Sequence, residues 1–154
     1  MEQSGKKYEF TVETIEVLGR VLHRIKAIRN FGYVKAGALG GFIEKEENLS
    51  HEGNCWVYGN AKVYGNANVC GDANVYGNAE ISMCSDFIVF KNWWSSGRYF
   101  TWTRSNNMWK VGCFYGTGEE LIQKAYKDSE ISGREYERVV RYVESILADE
   151  KKRE

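Results

Sequence analysis

The chain has 154 residues, enough for one domain or a compact composite, and carries 21 basic against 21 acidic side chains. That balance leaves no global positive field for duplex nucleic acid, and no stretch is long and apolar enough to span a bilayer. Cys55, Cys70, Cys84 and Cys113 are scattered without a C-x-x-C pair, which predicts reduced thiols in a cytoplasmic protein, and the opening MEQSGKKYEF lacks the apolar run of a signal peptide.

The first segment reads as strands. Tyr8–Thr11 and Thr14–Val17 are short β-prone runs, Leu18-Gly19 is a turn, and Val21 to Ile28 is a third run. Residues 1–38 are expected to form an N-terminal β cap.

From Val57 the sequence repeats every six residues: VYGNAK, VYGNAN, VCGDAN, VYGNAE, then Ile81-Ser82. A branched aliphatic opens each hexad and suits an extended, inward-facing position. Gly followed by Asn or Asp tolerates the positive φ of a sharp corner, and the small Ala can turn inward beside it. A fixed short period of this kind predicts a parallel β-helix. Counting back in sixes puts His51 in the aliphatic slot and Cys55 in the Ala slot, and residues 39–86 form the expected coil. Tyr58, Tyr64 and Tyr76 share the second position and are expected to stack outward as a ladder between subunits. The hexads resemble those of left-handed β-helices, in which three hexads make one triangular coil; the resemblance, not the spacing, implies that handedness.

After the coil the period changes. Phe87–Phe90, Arg98–Arg104 and Met108–Tyr115 read as a three-stranded antiparallel meander. Thr117 is a cap for a helix from Glu119 to about Lys127. Ser132-Gly-Arg-Glu135 reads as a capping box opening a second helix, whose stripe of Tyr136, Val139, Val140, Val143, Ile146 and Leu147 packs on the meander. The charged tail from Glu150 is expected to fray. The whole is mainly β: a short left-handed β-helix, the 1–38 cap, and a C-terminal α+β module over 87–154.

The opening KKYEFTVETIEVLGRVLHRIKAIRNFG, the passage VKAGALGGFIEKEENLSHEGNCWVYGNA, and the closing SSGRYFTWTR and VGCFYGTGEEL resemble hexapeptide-repeat proteins of bacteriophage and prophage genomes. The resemblance implies a phage accessory protein acting in the cytoplasm of the infected host, with counter-defence as the expected role. It also implies a homo-oligomer, a trimer by analogy with other hexapeptide-repeat proteins.

No catalytic constellation is legible. His23 and His51 are the only histidines, too few for a three-His zinc site, and no phosphate loop, nucleophile elbow or acid pair stands at meaningful spacing. No catalytic residue, metal or cofactor is therefore expected. Strand alternation separates Arg98, Phe100, Trp102 and Arg104 from Tyr99, Thr101 and Thr103. If the threonine side packs inward, two arginines flank two open aromatics, a surface for phosphate plus base, joined by Ser96 and Lys110. If Phe100 and Trp102 pack beneath the helices instead, the arginines sit at the rim of a core. The same residue types also suit a protein partner. The expected function is a non-catalytic, oligomeric binding protein that neutralises a host defence protein or a nucleotide signal. A structural or virion-associated protein and a CoA-dependent acyltransferase are the alternatives.

Overall fold

A computed structural model describes residues 5–153. Met1–Ser4, the first residues of the expected cap, and Glu154 lie outside it. The described chain is a mainly β structure with two C-terminal helices.

Strands β1 (Tyr8–Val17) and β2 (Arg20–Ala27) form one antiparallel hairpin, in register from Val17↔Arg20. Leu18 and Gly19 take φ of 53° and 78°, the geometry of a tight two-residue turn matched to the twist of its strands. The two runs expected before the turn are one strand with an irregularity between Phe10 and Thr14.

The repeat coils as its period implies. Strands β3 (Leu39–Ile43), β5 (Lys62–Val63) and β7 (Glu80–Ile81) make one parallel ladder, and β4 (Trp56–Val57) pairs with β6 (Asn74–Val75) in a second. A bridge between Leu49 and Val69 marks a third face. Within the clean repeat, partners stand 18 residues apart, three hexads per return. Upstream the spacing is 20 residues, because two extra residues lie between Leu49 and Val57. The aliphatic slots are therefore Ile43, Leu49, Val57, Val63, Val69, Val75 and Ile81, all fully buried. His51 does not occupy a slot; it lies outside, stacked on Tyr8 at 4.1 Å. Cys55 does fill the small-residue position and is buried with Ala61, Ala67, Ala73 and Ala79.

The tyrosine ladder is corrected by the same geometry. Residues 18 apart share a face, so Tyr58 and Tyr76 stand together with ring centroids 4.9 Å apart. Tyr64 is one hexad away and lies on a different face. It is buried under the hairpin with Leu22 and Phe42, its hydroxyl 3.4 Å from Glu80. Arg24 ties that hairpin to the coil, 4.3 Å over the Phe42 ring and donating to the Gly40 and Gly59 carbonyls. At the other edge the buried Lys7 ammonium donates to the carbonyls of Cys55 (2.7 Å) and Gly53 (3.3 Å); burial lowers its pKa.

The C-terminal sheet has four strands, not three: β8 (Phe87–Lys91), β9 (Tyr99–Thr103), β10 (Met108–Val111) and β11 (Phe114–Gly116), in the order β11-β10-β9-β8. Gly112, at φ 54°, lets the expected third strand fold back on itself as β10 and β11. Helix α1 (Gly118–Asp128) starts at a reciprocal cap between Thr117 and Glu120. Helix α2 (Glu130–Lys152) begins earlier than expected, capped by Ser129, which also ends α1; Ser132 is already inside the helix. Rather than fraying at Glu150, α2 runs to Lys152, with Glu150 paired to Arg104. No helix of the described residues is long and apolar enough to cross a membrane.

The two faces of this sheet serve different neighbours. Phe100, Trp102 and Trp109 pack under Leu121, Ile122, Tyr136, Val140 and Val143 of the helices. The opposite face meets the coil, where Thr101 Oγ1 accepts from the Asn74 amide (3.0 Å) and Ser105 Oγ from the Glu80 amide (2.8 Å). Earlier in the coil the equivalent amides of Trp56 and Lys62 donate to carbonyls of the next turn, Ala73 and Ala79. Two hydroxyls thus stand in for the turn that is missing.

Because Tyr64 is a core residue, Tyr64→Glu is expected to unfold rather than dissociate the protein. A buried carboxylate near Glu80 costs about 3 kcal/mol. A large drop in Tm by circular dichroism checks it.

Candidate functional site

The seam between coil and C-terminal sheet holds a cleft of about 590 Å³, within the range of small-molecule sites. Three parts of the chain build it. The segment after β2 contributes Tyr33. The coil contributes Asn54, Tyr58, Asp72, Asn74 and Tyr76. The sheet contributes Tyr99 and Lys110, and its connecting loops Arg98 and Cys113.

The floor is aromatic. Tyr76 sits between Tyr58 and Tyr115, with ring centroids 4.9 and 5.1 Å away. Gly77 makes this possible, since a Cβ there would collide with the Tyr115 ring and hydroxyl. Burial raises the pKa of Tyr58 and of Tyr115, each reinforced by Tyr76, so these phenols stay neutral donors. Lys110 Nζ lies 4.2 Å over the Tyr76 ring. Its pKa is lowered, chiefly by burial, and it makes no ion pair among the described residues. Arg98 is exposed and likewise has no carboxylate partner there. Tyr99 and Tyr33 are 43% and 86% exposed; Lys91 Nζ stands 5.9 Å over the Tyr99 ring. Aromatic faces beside unpaired cations can hold a phosphate together with a base.

The six residues expected to bind ligand are dispersed. Arg98 and Lys110 come together in the cleft. Phe100 and Trp102 are 1% and 0% exposed beneath the helices, so they are core residues closed to any ligand. Arg104 is pinned at the rim of that core: it donates to the Ser85 carbonyl (2.9 Å), pairs with Glu150 and covers Trp102 at 5.4 Å. Ser96 is exposed in the β8–β9 loop and accepts from the Arg98 amide. Arg98 does not share a face with Phe100 because it precedes β9, just after the bend at Gly97 (φ 72°). Tyr33, Tyr99 and Asp72 were not legible as site residues. The one available signal was Asp72, where the repeat departs from Asn.

A second concavity along the helices is lined by Tyr126, Arg134, Glu137, Arg138 and Arg141. Its central charge is spent internally, with Arg141 paired to Glu119, Glu137 and Glu144. The histidines are engaged elsewhere. His51 Nδ1 accepts from the Lys7 amide (3.1 Å) and Nε2 faces Glu46 (2.8 Å), while His23 stacks on Phe10. Among the described residues no three metal-ligating side chains converge.

No family model matches the chain. A stretch of 38 residues is 50% identical to the uncharacterized acetyltransferase YdcK of Escherichia coli (strain K12). The match covers 25% of this chain and only 12% of that protein's length.

The two arginines are expected to behave oppositely. Arg104→Ala loses the hydrogen bond to the Ser85 carbonyl, an ion pair and the cover of Trp102, and should cost about 1–2 kcal/mol. Arg98→Ala should stay within about 0.5 kcal/mol of wild type. Urea denaturation of both variants measures the difference.

Proposed function

We propose that this protein is a non-catalytic binding protein that holds a nucleotide-like ligand in the Tyr33–Tyr76–Lys110 cleft. The observation that carries this reading is that Arg98 and Lys110 face one tyrosine-walled cleft without a carboxylate partner among the described residues. Unpaired cations in a concave, partly desolvated site attract an anion, and the rings favour one with a planar base. Joined to the phage resemblance, this favours sequestration of a nucleotide signal in the host cytoplasm over capture of a defence protein, which would need a broader open surface. The 18-residue returns belong, on the resemblance of the hexads to those of left-handed β-helices, to a left-handed parallel β-helix. Self-association, as a trimer, is part of the proposal. With Tyr58 and Tyr76 turned to the cleft and Tyr64 buried, it would use the coil face where Asn68 and Cys70 are exposed. Light scattering at tens of micromolar checks it, and a monomer mass would rule it out.

The second reading is an acetyltransferase, favoured by the short match to YdcK. Acetyl-CoA itself carries a phosphorylated adenosine and could enter the same cleft. What this reading lacks is a base there, since His51 is held by Lys7 and Glu46.

Calorimetry with nucleoside 5′-monophosphates separates the readings. Binding is expected to weaken roughly ten- to a hundred-fold in Arg98→Ala and in Lys110→Ala, the loss of one charge-assisted contact each. The burial that lowers the Lys110 pKa sets the pH dependence. The anion needs the charged amine, so affinity should fall with rising pH before the range of an ordinary lysine, about 10.4. No binding of any nucleotide at millimolar concentration would sink the proposal. Acetyl transfer from acetyl-CoA, lost in His51→Asn, would establish the enzyme instead.

A further inference from the structure

Four hexads of the repeat carry a polar residue after the corner glycine: Asn60, Asn66, Asp72 and Asn78. The corners share one backbone, with φ of 57°, 66°, 65° and 69° at Gly59, Gly65, Gly71 and Gly77. The turn therefore does not call for a carboxylate at 72. Asp72 nevertheless lines the cleft with Arg98 and Lys110. It makes no ion pair and no side-chain hydrogen bond among the described residues, so it lies beyond pairing distance of both cations. For a bare phosphate this placement is adverse. A negative charge in a partly desolvated cleft repels the anion, and the Asn used by the other three hexads would serve better. A carboxylate is favourable there only if the ligand brings hydrogen-bond donors to it. Its two coplanar oxygens suit two adjacent donors.

We infer that Asp72 selects a ligand with an anion at one end and a pair of adjacent hydrogen-bond donors at the other. On a nucleotide that pair is either the ribose 2′,3′-diol or the N1–H and amino edge of guanine. The inference rests on the nucleotide reading of the cleft and adds what the ligand must carry. Asp72 is exposed on the lip of the cleft, and a site that hydrogen-bonds a substrate group disfavours analogues lacking it, because its polar group then faces the ligand unpaired.

The test is calorimetry of wild type and Asp72→Asn with GMP, 2′-deoxy-GMP, AMP, 2′-deoxy-AMP and inorganic phosphate. The variant is compatible with the fold, since Asn stands at three equivalent corners, and an unchanged Tm verifies it. In wild type, GMP bound roughly ten- to a hundred-fold more tightly than AMP identifies the guanine edge as the donor pair. Both ribonucleotides bound more tightly than both deoxynucleotides identifies the diol. In either case Asp72→Asn should erase the preference while inorganic phosphate binds as well or better. If nucleotides bind and Asp72→Asn leaves every preference unchanged, the inference is overturned and the nucleotide reading stands. If wild type binds no nucleotide, the reading of the cleft itself falls, and this inference with it.

Discussion

A coil this short is dominated by its ends. Each turn of parallel strand leaves backbone amides and carbonyls facing along the axis, and at the first and last turns no neighbour exists to receive them. The rest of the chain answers that constraint. At one end β2 pairs antiparallel with β3, closing the ladder of Ile43, Val63 and Ile81. At the other, Thr101 and Ser105 offer hydroxyl oxygens to the Asn74 and Glu80 amides. On the side of the sheet that meets the coil, Thr101 and Thr103 stand opposite Val89 and Phe87, which pack against the coil's core. The sheet's Phe100, Trp102 and Trp109 are turned away to the helices.

The cleft follows from this docking. The sheet docked on the coil leaves a gap floored by the outward Tyr58 and Tyr76 of two successive turns. Lys110 is drawn over Tyr76, and Arg98 emerges where the loop before β9 runs past the coil. The site is thus made at a joint between substructures, where Asn74, Tyr76 and Lys110 both line the cleft and hold the joint together.

Much of the fold was readable because the hexads are nearly identical. The slot residues from Val57 to Ile81, the hairpin turn at Leu18-Gly19 and the cap at Thr117 all follow from local chemistry. Upstream of Val57 the frame slipped, since two inserted residues moved the slot from His51 to Leu49. An apolar Leu beside a polar His was the available clue. The tyrosine ladder failed for a geometric reason: six residues advance one face of a three-faced coil, so Tyr64 cannot stand above Tyr58. Alternation along β9 split its side chains correctly into two sets. It could not say which set faced out, because both faces of that sheet are covered, one by the helices and one by the coil. Tyr33 and Tyr99 reach the site only through the docking of distant segments, which no local pattern encodes.

The coil also acts as a spacer between the two lips of the cleft. Tyr33 belongs to the segment that enters the first turn, whereas Lys110 belongs to the sheet that closes the last and Arg98 to the loop before β9. The hairpin holds Gly40 and Phe42 of the first turn and Gly59, Asn60 and Tyr64 of the second, while the C-terminal sheet holds Asn74 and Tyr76 further along. Inserting 18 residues at the repeat, the interval between paired strands, would add one turn and move the lips apart by about 4.8 Å, one strand spacing. The length of the repeat is in this sense a gauge. It sets the distance between the lips of the cleft, separately from the residues that line it.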